Sequence, residues 1–329
     1  MGDGAGSKGT APDPIEELFA RGVTDGLPVV PPTRARVAQA IAASGRGAGE
    51  LIAEVAPRYA RATVEKIAIN AVMAGCRPEY MPVVIAAVEA ICDERFDLLG
   101  VSGTTDAVAP LLVINGPIRK VLDVNCGVGV FGPGWRANAT IGRAVRLVWI
   151  NLGGARPGVM SMSTFAQPGR YSYCIGELEE DSPFEPLHVE HGFAADDSTV
   201  AALAAEAPQM VVDNWSRNAD GLLATVARSM EVIAHDGAAA LGDTLVVLSP
   251  EHARTIGQDG WSKPEVRRFL WERLQKRVDG TLIPKFRAPE HLKILVAGGP
   301  AGRFTALVPG WPFANAPSSL VIRKVRLSG

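Results

Sequence analysis

Residues 111–117 read Leu-Leu-Val-Ile-Asn-Gly-Pro, an apolar run stopped by a turn dipeptide. Two later stretches have the same form: residues 245–250 read Leu-Val-Val-Leu-Ser-Pro, and residues 294–300 read Ile-Leu-Val-Ala-Gly-Gly-Pro. Short runs of this kind are buried strands, because a strand covered on both faces shows no polar alternation. Stretches with helical periodicity lie between them, and that alternation specifies an α/β fold. The expected architecture is two α/β halves, each with a mixed sheet flanked by helices. Ligands in open α/β sheets bind outside the carboxyl ends of strands. The site is therefore expected at those ends, between the halves.

Around these strands the helices have readable starts and stops. Residues 62–74 place Val64, Ile67, Ala68, Ala71 and Val72 on one helical face, and Gly75 is a suitable stop. Pro78 opens a second helix to about Ile91, giving a helical hairpin with Gly75-Cys76-Arg77 at its apex. Residues 13–22 form a short helix. The proline-rich stretch 24–32 that follows is extended, across the surface or over a cleft, and Thr33 caps a helix to about Ala43. Further helices are expected at about 136–150, 219–235 and 263–276, and an edge strand at 319–326. The Ala-rich stretch 194–206 is the expected boundary. This gives a flexible tail over 1–12, an N-terminal α/β domain over 13–195 and a C-terminal α/β domain over 205–329.

Composition narrows the class. Among 329 residues, 33 Lys and Arg face 35 Asp and Glu, a net charge of -2. Without a basic excess, neither nucleic acid nor an anionic membrane is an expected partner. The four cysteines, Cys76, Cys92, Cys126 and Cys174, contain no CxxC pair and read as free thiols of a reducing cytoplasm. The first twelve residues lack the apolar segment of a targeting peptide, and the longest apolar stretch, 81–91, is too short for a bilayer. A cytoplasmic protein is expected, and a homo-oligomer by the ordinary habit of enzymes this size. The 35 glycines and 24 prolines are a surplus concentrated in 24–32, 127–134, 153–158 and 298–302, where backbone could build a site.

The densest of these stretches runs from Asn125 to Asn138. Gly127, Gly129 and Gly132 match GxGxxG, but Pro133 and Gly134 interrupt the passage into the helix, and no acid follows about 20 residues on. A nicotinamide fingerprint needs both. The simpler functional reading is an anion cradle. Gly129 and Gly132 would admit backbone N–H groups, and the next helix would offer its positive N-terminus with Arg136, Asn138 and Arg143. The plainer alternative is a packing loop beside a solvated arginine face. In the hairpin, Lys66 and Asn70 share a face, Glu65 adjoins them and Arg77 continues their direction. Cys76 sits before a helix N-terminus and beside Arg77, which both favour a thiolate; a small buried cysteine is the alternative. Cys174 and Glu177 could pair a thiol with a general acid or base, or the acidic run 177–180 could be a solvated loop. His188 and His191 are three apart, a spacing for a metal only on a helix, and Pro186 and Gly192 oppose a long one. No metal is assigned. His252 at a strand end, and the nest Gly298 to Arg303, fit plain turns as well as chemistry.

Four strings together, TDGLPVVPPT (24–33), ATVEKIAINAVMAGCRPEYMPVV (62–84), ANATIGRAVRLV (137–148) and VAGGPAGR (296–303), resemble a poorly characterised bacterial family. Its members are often encoded beside, or fused to, small redox proteins or selenoproteins with a UGSC or CGSC motif. This chain contains no such tetrapeptide. The resemblance implies that any such motif would come from a small thiol redox partner, and it implies no reaction and no cofactor.

Three functions follow as expectations. The first is a cytoplasmic enzyme acting on a small anionic metabolite, a carboxylate or phosphate. Arg136, Arg143 and the glycine loop would bind it. Cys76, Cys174, Lys66, Glu65 and Glu177 would supply thiol or acid–base steps, in a lyase-type elimination or a thiol-dependent reductive cleavage. The second is a non-catalytic substrate-binding subunit in a complex with a small thiol redox protein. The third is a metal-dependent hydrolase or lyase using His188 and His191.

Overall fold

The computed structural model describes residues 13–233, 242–311 and 319–327. The chain begins with α1 (Pro14–Ala20), an extended strap and α2 (Arg34–Ser44), then a small hairpin of β1 (Leu51–Val55) and β2 (Ala60–Thr63). Next come α3 (Val64–Ala74), α4 (Met81–Ile91), α5 (Leu98–Gly103), β3 (Ala109–Asn115), α6 (Ile118–Val121), α7 (Arg136–Val148), β4 (Cys174–Gly176), α8 (Leu187–Glu190) and β5 (Thr199–Ala205). The second half holds β6 (Gln209–Val212), α9 (Ala219–Val232), β7 (Thr244–Leu248), α10 (Pro250–Gln258), α11 (Lys263–Arg273), a hairpin of β8 (Gln275–Val278) and β9 (Thr281–Pro284), β10 (Leu292–Val296), β11 (Phe304–Val308) and β12 (Val321–Lys324).

The three apolar runs are β3, β7 and β10, so the α/β expectation holds. Two mixed four-stranded sheets form, in the orders β4-β3-β5-β12 and β10-β7-β11-β6. Their patterns correspond strand for strand. In each, the first strand pairs parallel with the one reached by a crossover (β3 with β4, β7 with β10), and antiparallel with the third, β5 or β11. The fourth strand is exchanged: β6 follows β5 in sequence yet pairs with β11, and β12 follows β11 yet pairs with β5. The expected edge strand is thus present, in the sheet of the N-terminal half. The Ala-rich stretch expected as a boundary is β5, buried along its whole length at the centre of that sheet.

Strand alternation sorts the core into layers. Leu111, Val113, Ile175, Ala201 and Leu203 of one sheet pack against Leu245, Val247, Leu295, Ala306 and Val308 of the other. Leu112, Ile114, Val200 and Ala202 turn outward to α3, α4 and α7, while Val246, Leu248, Ile294 and Val296 turn to α9, α10 and α11. The order is helices, sheet, sheet, helices. Both faces of each central strand are covered, which is why the runs are apolar throughout. Alanines along β5 suit a strand wedged between two layers.

The caps behave as read. The Thr63 side chain accepts from Lys66 N, and Gly75 ends α3 with φ 92°, a left-handed conformation that favours glycine. α4 is buried at every position except Glu89, which pairs with Arg46 at 2.9 Å. The helix expected to 276 ends at Arg273, and the next residues form β8. The strap lies over α3 and α7: Val30 N donates to Met73 O at 3.0 Å. Among the described residues, no helix is long and apolar enough to cross a membrane.

Candidate functional site

α2, the end of α3, the turn before α4 and the start of α7 converge at the hairpin apex around a cavity of about 390 Å³. Arg36, Arg77 and Arg136 line it, with Cys76 in the wall and Val30 of the strap at its edge. Arg136 donates from Nε and Nη2 to Gly75 O at 3.0 and 2.9 Å, closing the last turn of α3. Arg36 donates to Pro31 O at 3.1 Å. Among the described residues neither meets a carboxylate, and the Arg77 guanidinium has no hydrogen-bond or ion-pair partner. Trp135 gives α7 no side-chain cap, so its first N–H groups are also unspent. Three cations and a helix N-terminus around one cavity form a field for an anion.

The sequence expected Cys76 and Arg136 to serve one site, and the fold places both, with Arg77, on this cavity; the state of the thiol departs from the expectation. Cys76 Sγ donates to Thr140 O at 3.2 Å. Burial pushes this thiol up to about 12, outweighing the Thr140 hydrogen bond and nearby Arg136. Desolvation defeats the local cues for a thiolate.

Other expected residues lie elsewhere. Glu65 and Lys66 occupy the first turn of α3, the opposite end from the cavity, and Lys66 Nζ donates to Arg61 O at 3.0 Å. Asn70 is buried, donating to Lys66 O at 2.9 Å and accepting from Asn151 at 2.8 Å. Arg143 is not open to a substrate. It grips Asp25 with two bonds of 2.9 and 2.8 Å, and donates to Leu27 O and Pro28 O. Its work is to fasten the strap to α7. Asn138 is also structural: its amide accepts from Asn125 N at 2.8 Å and donates to Asn125 O and Cys174 O.

Gly129 and Gly132 close a turn, Gly132 N donating to Gly129 O at 2.7 Å. They face a second cavity of about 240 Å³, between the halves at the carboxyl ends of β7 and β10, with Gly298, Gly299, Ser249 and Phe304. The two glycine loops of the sequence therefore meet each other rather than the arginines. Arg303 does not line this cavity; it donates to Asp213 O and Ser216 O.

At the carboxyl ends of β3 and β4 lies a closed polar cluster. Asn115 donates to Glu177 Oε2 at 2.6 Å, Leu187 N donates to the same oxygen at 2.8 Å, and buried Arg119 bonds Glu179 at 2.6 Å. Burial pushes the Glu177 carboxyl up to about 7, against the opposing charge of Lys263. Glu177 Oε1 and both His188 ring nitrogens are sealed from solvent without a hydrogen-bond partner, His188 Nδ1 lying 4.0 Å from Glu179 Oε1. The expected pairing of Cys174 with Glu177 is not made. Cys174 packs on the α3–α7 side of its sheet, three residues from Glu177 and so of opposite parity along the strand direction. Its thiol too is raised by burial. Cys126, which the sequence did not single out, touches Arg119 Nη1 at 3.6 Å, yet burial also raises it.

His188 sits on the short α8 and His191 is its C-cap, but His191 Nδ1 bonds Leu187 O at 2.8 Å. No group of three or more His, Cys, Asp or Glu able to hold a metal occurs among the described residues. His252 is buried, its Nδ1 2.8 Å from Thr305 Oγ1, and burial lowers its pKa. Arg36 is the cavity residue that sequence reasoning missed; its helix lies about 40 residues upstream of the apex. Comparison with protein-family models, curated proteins and solved structures gives no match.

Proposed function

We propose that the chain binds a small anionic metabolite, a carboxylate or phosphate, in the cavity bounded by Arg36, Arg77 and Arg136, and acts on it there as an enzyme. One observation carries the reading: three guanidinium groups without carboxylate partners among the described residues line a single cavity beside an uncapped helix N-terminus. Guanidinium forks match carboxylate and phosphate oxygens in pairs. The same groups would stabilise negative charge developing during an elimination. Cys76 is neutral at pH 7 and so would act as a hydrogen-bond donor rather than a nucleophile.

The state of the thiols supports a second reading. Burial raises all four cysteines, so a thiol-dependent cleavage would need its thiolate from a small redox partner, with this chain as the binding subunit.

Calorimetric titration with a panel of short carboxylates and phosphate esters tests the proposal. A saturable ligand is expected whose affinity falls at least tenfold in Arg77→Ala and in Arg136→Ala. Affinity unchanged in both variants would remove the proposal. Turnover that survives in Cys76→Ala, Cys174→Ala and the double variant would favour elimination over thiol chemistry.

A further inference from the structure

α7 carries a third arginine, Arg146, near its other end, and its surroundings differ from those of Arg136. Arg146 and Arg170 are each only 8% exposed and line a separate cavity of about 180 Å³. Among the described residues the Arg146 guanidinium has no hydrogen-bond or ion-pair partner, and its Nη1 is sealed from solvent. Arg170 donates from Nε to Val108 O at 2.9 Å and from Nη1 to Ser161 Oγ at 2.6 Å, which leaves its buried Nη2 without a partner. The two guanidinium groups share one ring, standing 4.8 and 5.7 Å from the centroid of Trp149. Two like charges are thus held together out of water. The carboxylate in the cavity wall, Asp25, has both oxygens committed to Arg143. Asp106 acts on Arg170 only through its charge.

Buried guanidinium groups are ordinarily paired, because an uncompensated charge in a low-dielectric site is costly. Cation–π contact with Trp149 offsets part of that cost but supplies no acceptor for Nη1 of Arg146 or Nη2 of Arg170. Ser161, Ser163 and Gln167 add polar groups to the same wall. We infer that this cavity is a binding site for one small oxyanion, held between Arg146 and Arg170. At about 30 Å³ per water, the space takes about six waters or one five-atom oxyanion. It is a different site from the Arg36–Arg77–Arg136 cavity and goes beyond the function proposed there. Asp25 of the strap forms part of the wall here, and Val30 of the strap part of the other.

The test is titration of the full chain with inorganic phosphate and, separately, with formate, at ionic strength matched with potassium chloride. Binding is read by calorimetry and by the rise in Tm. In an Arg77→Ala/Arg136→Ala background, which removes the share of the apex cavity, saturable binding of one oxyanion is expected, and adding Arg146→Met or Arg170→Met should weaken it at least tenfold. Which of the two probes binds tells a tetrahedral anion from a carboxylate. Should the methionine variants fail to fold, Arg146→Lys and Arg170→Lys keep the charge and remove the fork; they should still weaken binding severalfold. Absence of saturable binding by either probe overturns the inference. So does binding lost in the Arg77→Ala/Arg136→Ala background but kept in the Arg146 and Arg170 variants of the otherwise unaltered chain, a result that would instead support the cavity at the hairpin apex.

Discussion

Replacing Glu177 with glutamine should change how stability depends on pH. In the folded chain burial raises this carboxyl from the ordinary 4.5 to about 7. The folded state therefore keeps a proton that the unfolded state has released between these values. Stability from the neutral form is complete below pH 4.5 and is lost as pH rises through about 7. At about 1.4 kcal/mol per pH unit, the gap amounts to about 3 kcal/mol. Glutamine keeps the carbonyl oxygen that accepts from Asn115 and Leu187 N, and it cannot ionise. The assay is urea unfolding of wild type and Glu177→Gln between pH 4.5 and 8. Wild type should lose about 3 kcal/mol relative to the variant over that range. Glu206, also raised to about 7 by burial, is present in both proteins and cancels in the difference. Parallel pH profiles would refute the argument, because they would mean that Glu177 ionises in the fold without cost.

Two further outcomes follow from packing. Asp25→Asn leaves Arg143 without its charged partner in a largely buried contact and should cost about 3 kcal/mol by chemical denaturation; a change under about 0.5 kcal/mol would mean that the strap is held by its backbone bonds to Arg143 and Met73 and not by the ion pair. Gly310→Ala would place a Cβ 1.8 Å from the Asp243 carbonyl oxygen, where backbone must move. A loss of about 3 kcal/mol or more is expected, read as a lowered denaturation midpoint, and an unchanged midpoint would contradict the close approach.

What the sequence disclosed was local. β3, β7 and β10 were legible because apolar runs ending in Gly or Pro are short-range signals, and the ends of α3 because Thr63 and Gly75 act within one turn. β5 was hidden because its alanines meet the demand of two flanking layers for small side chains, a demand set by residues far away in sequence. The exchange of β6 and β12 was illegible for the same reason. At the site, Cys76, Arg77 and Arg136 were legible from spacing and charge type. Arg143 and Asn138 were misjudged because an arginine free for a ligand and one tied to Asp25 look alike in one dimension. Arg146 and Arg170 carried no local signal in the sequence, because their burial is set by residues packed on them from elsewhere in the chain. The thiols teach the same lesson: a neighbouring Arg is visible in the string, and desolvation is not.

The exchanged strands make the chain resemble a domain-swapped dimer fused into one polypeptide. A protease cut between β5 and β6 would sever the covalent link without parting the pieces. The downstream fragment would still carry β12, seated on β5, and would still receive the upstream sheet through the backbone bonds Trp311 N to Ala204 O and Glu206 N to Pro309 O. The downstream half cannot unfold without stripping β12 from the sheet of the upstream half. Genetic truncation to the upstream half would accordingly remove an edge strand from the sheet that remains, whereas the downstream half keeps all four strands of its own.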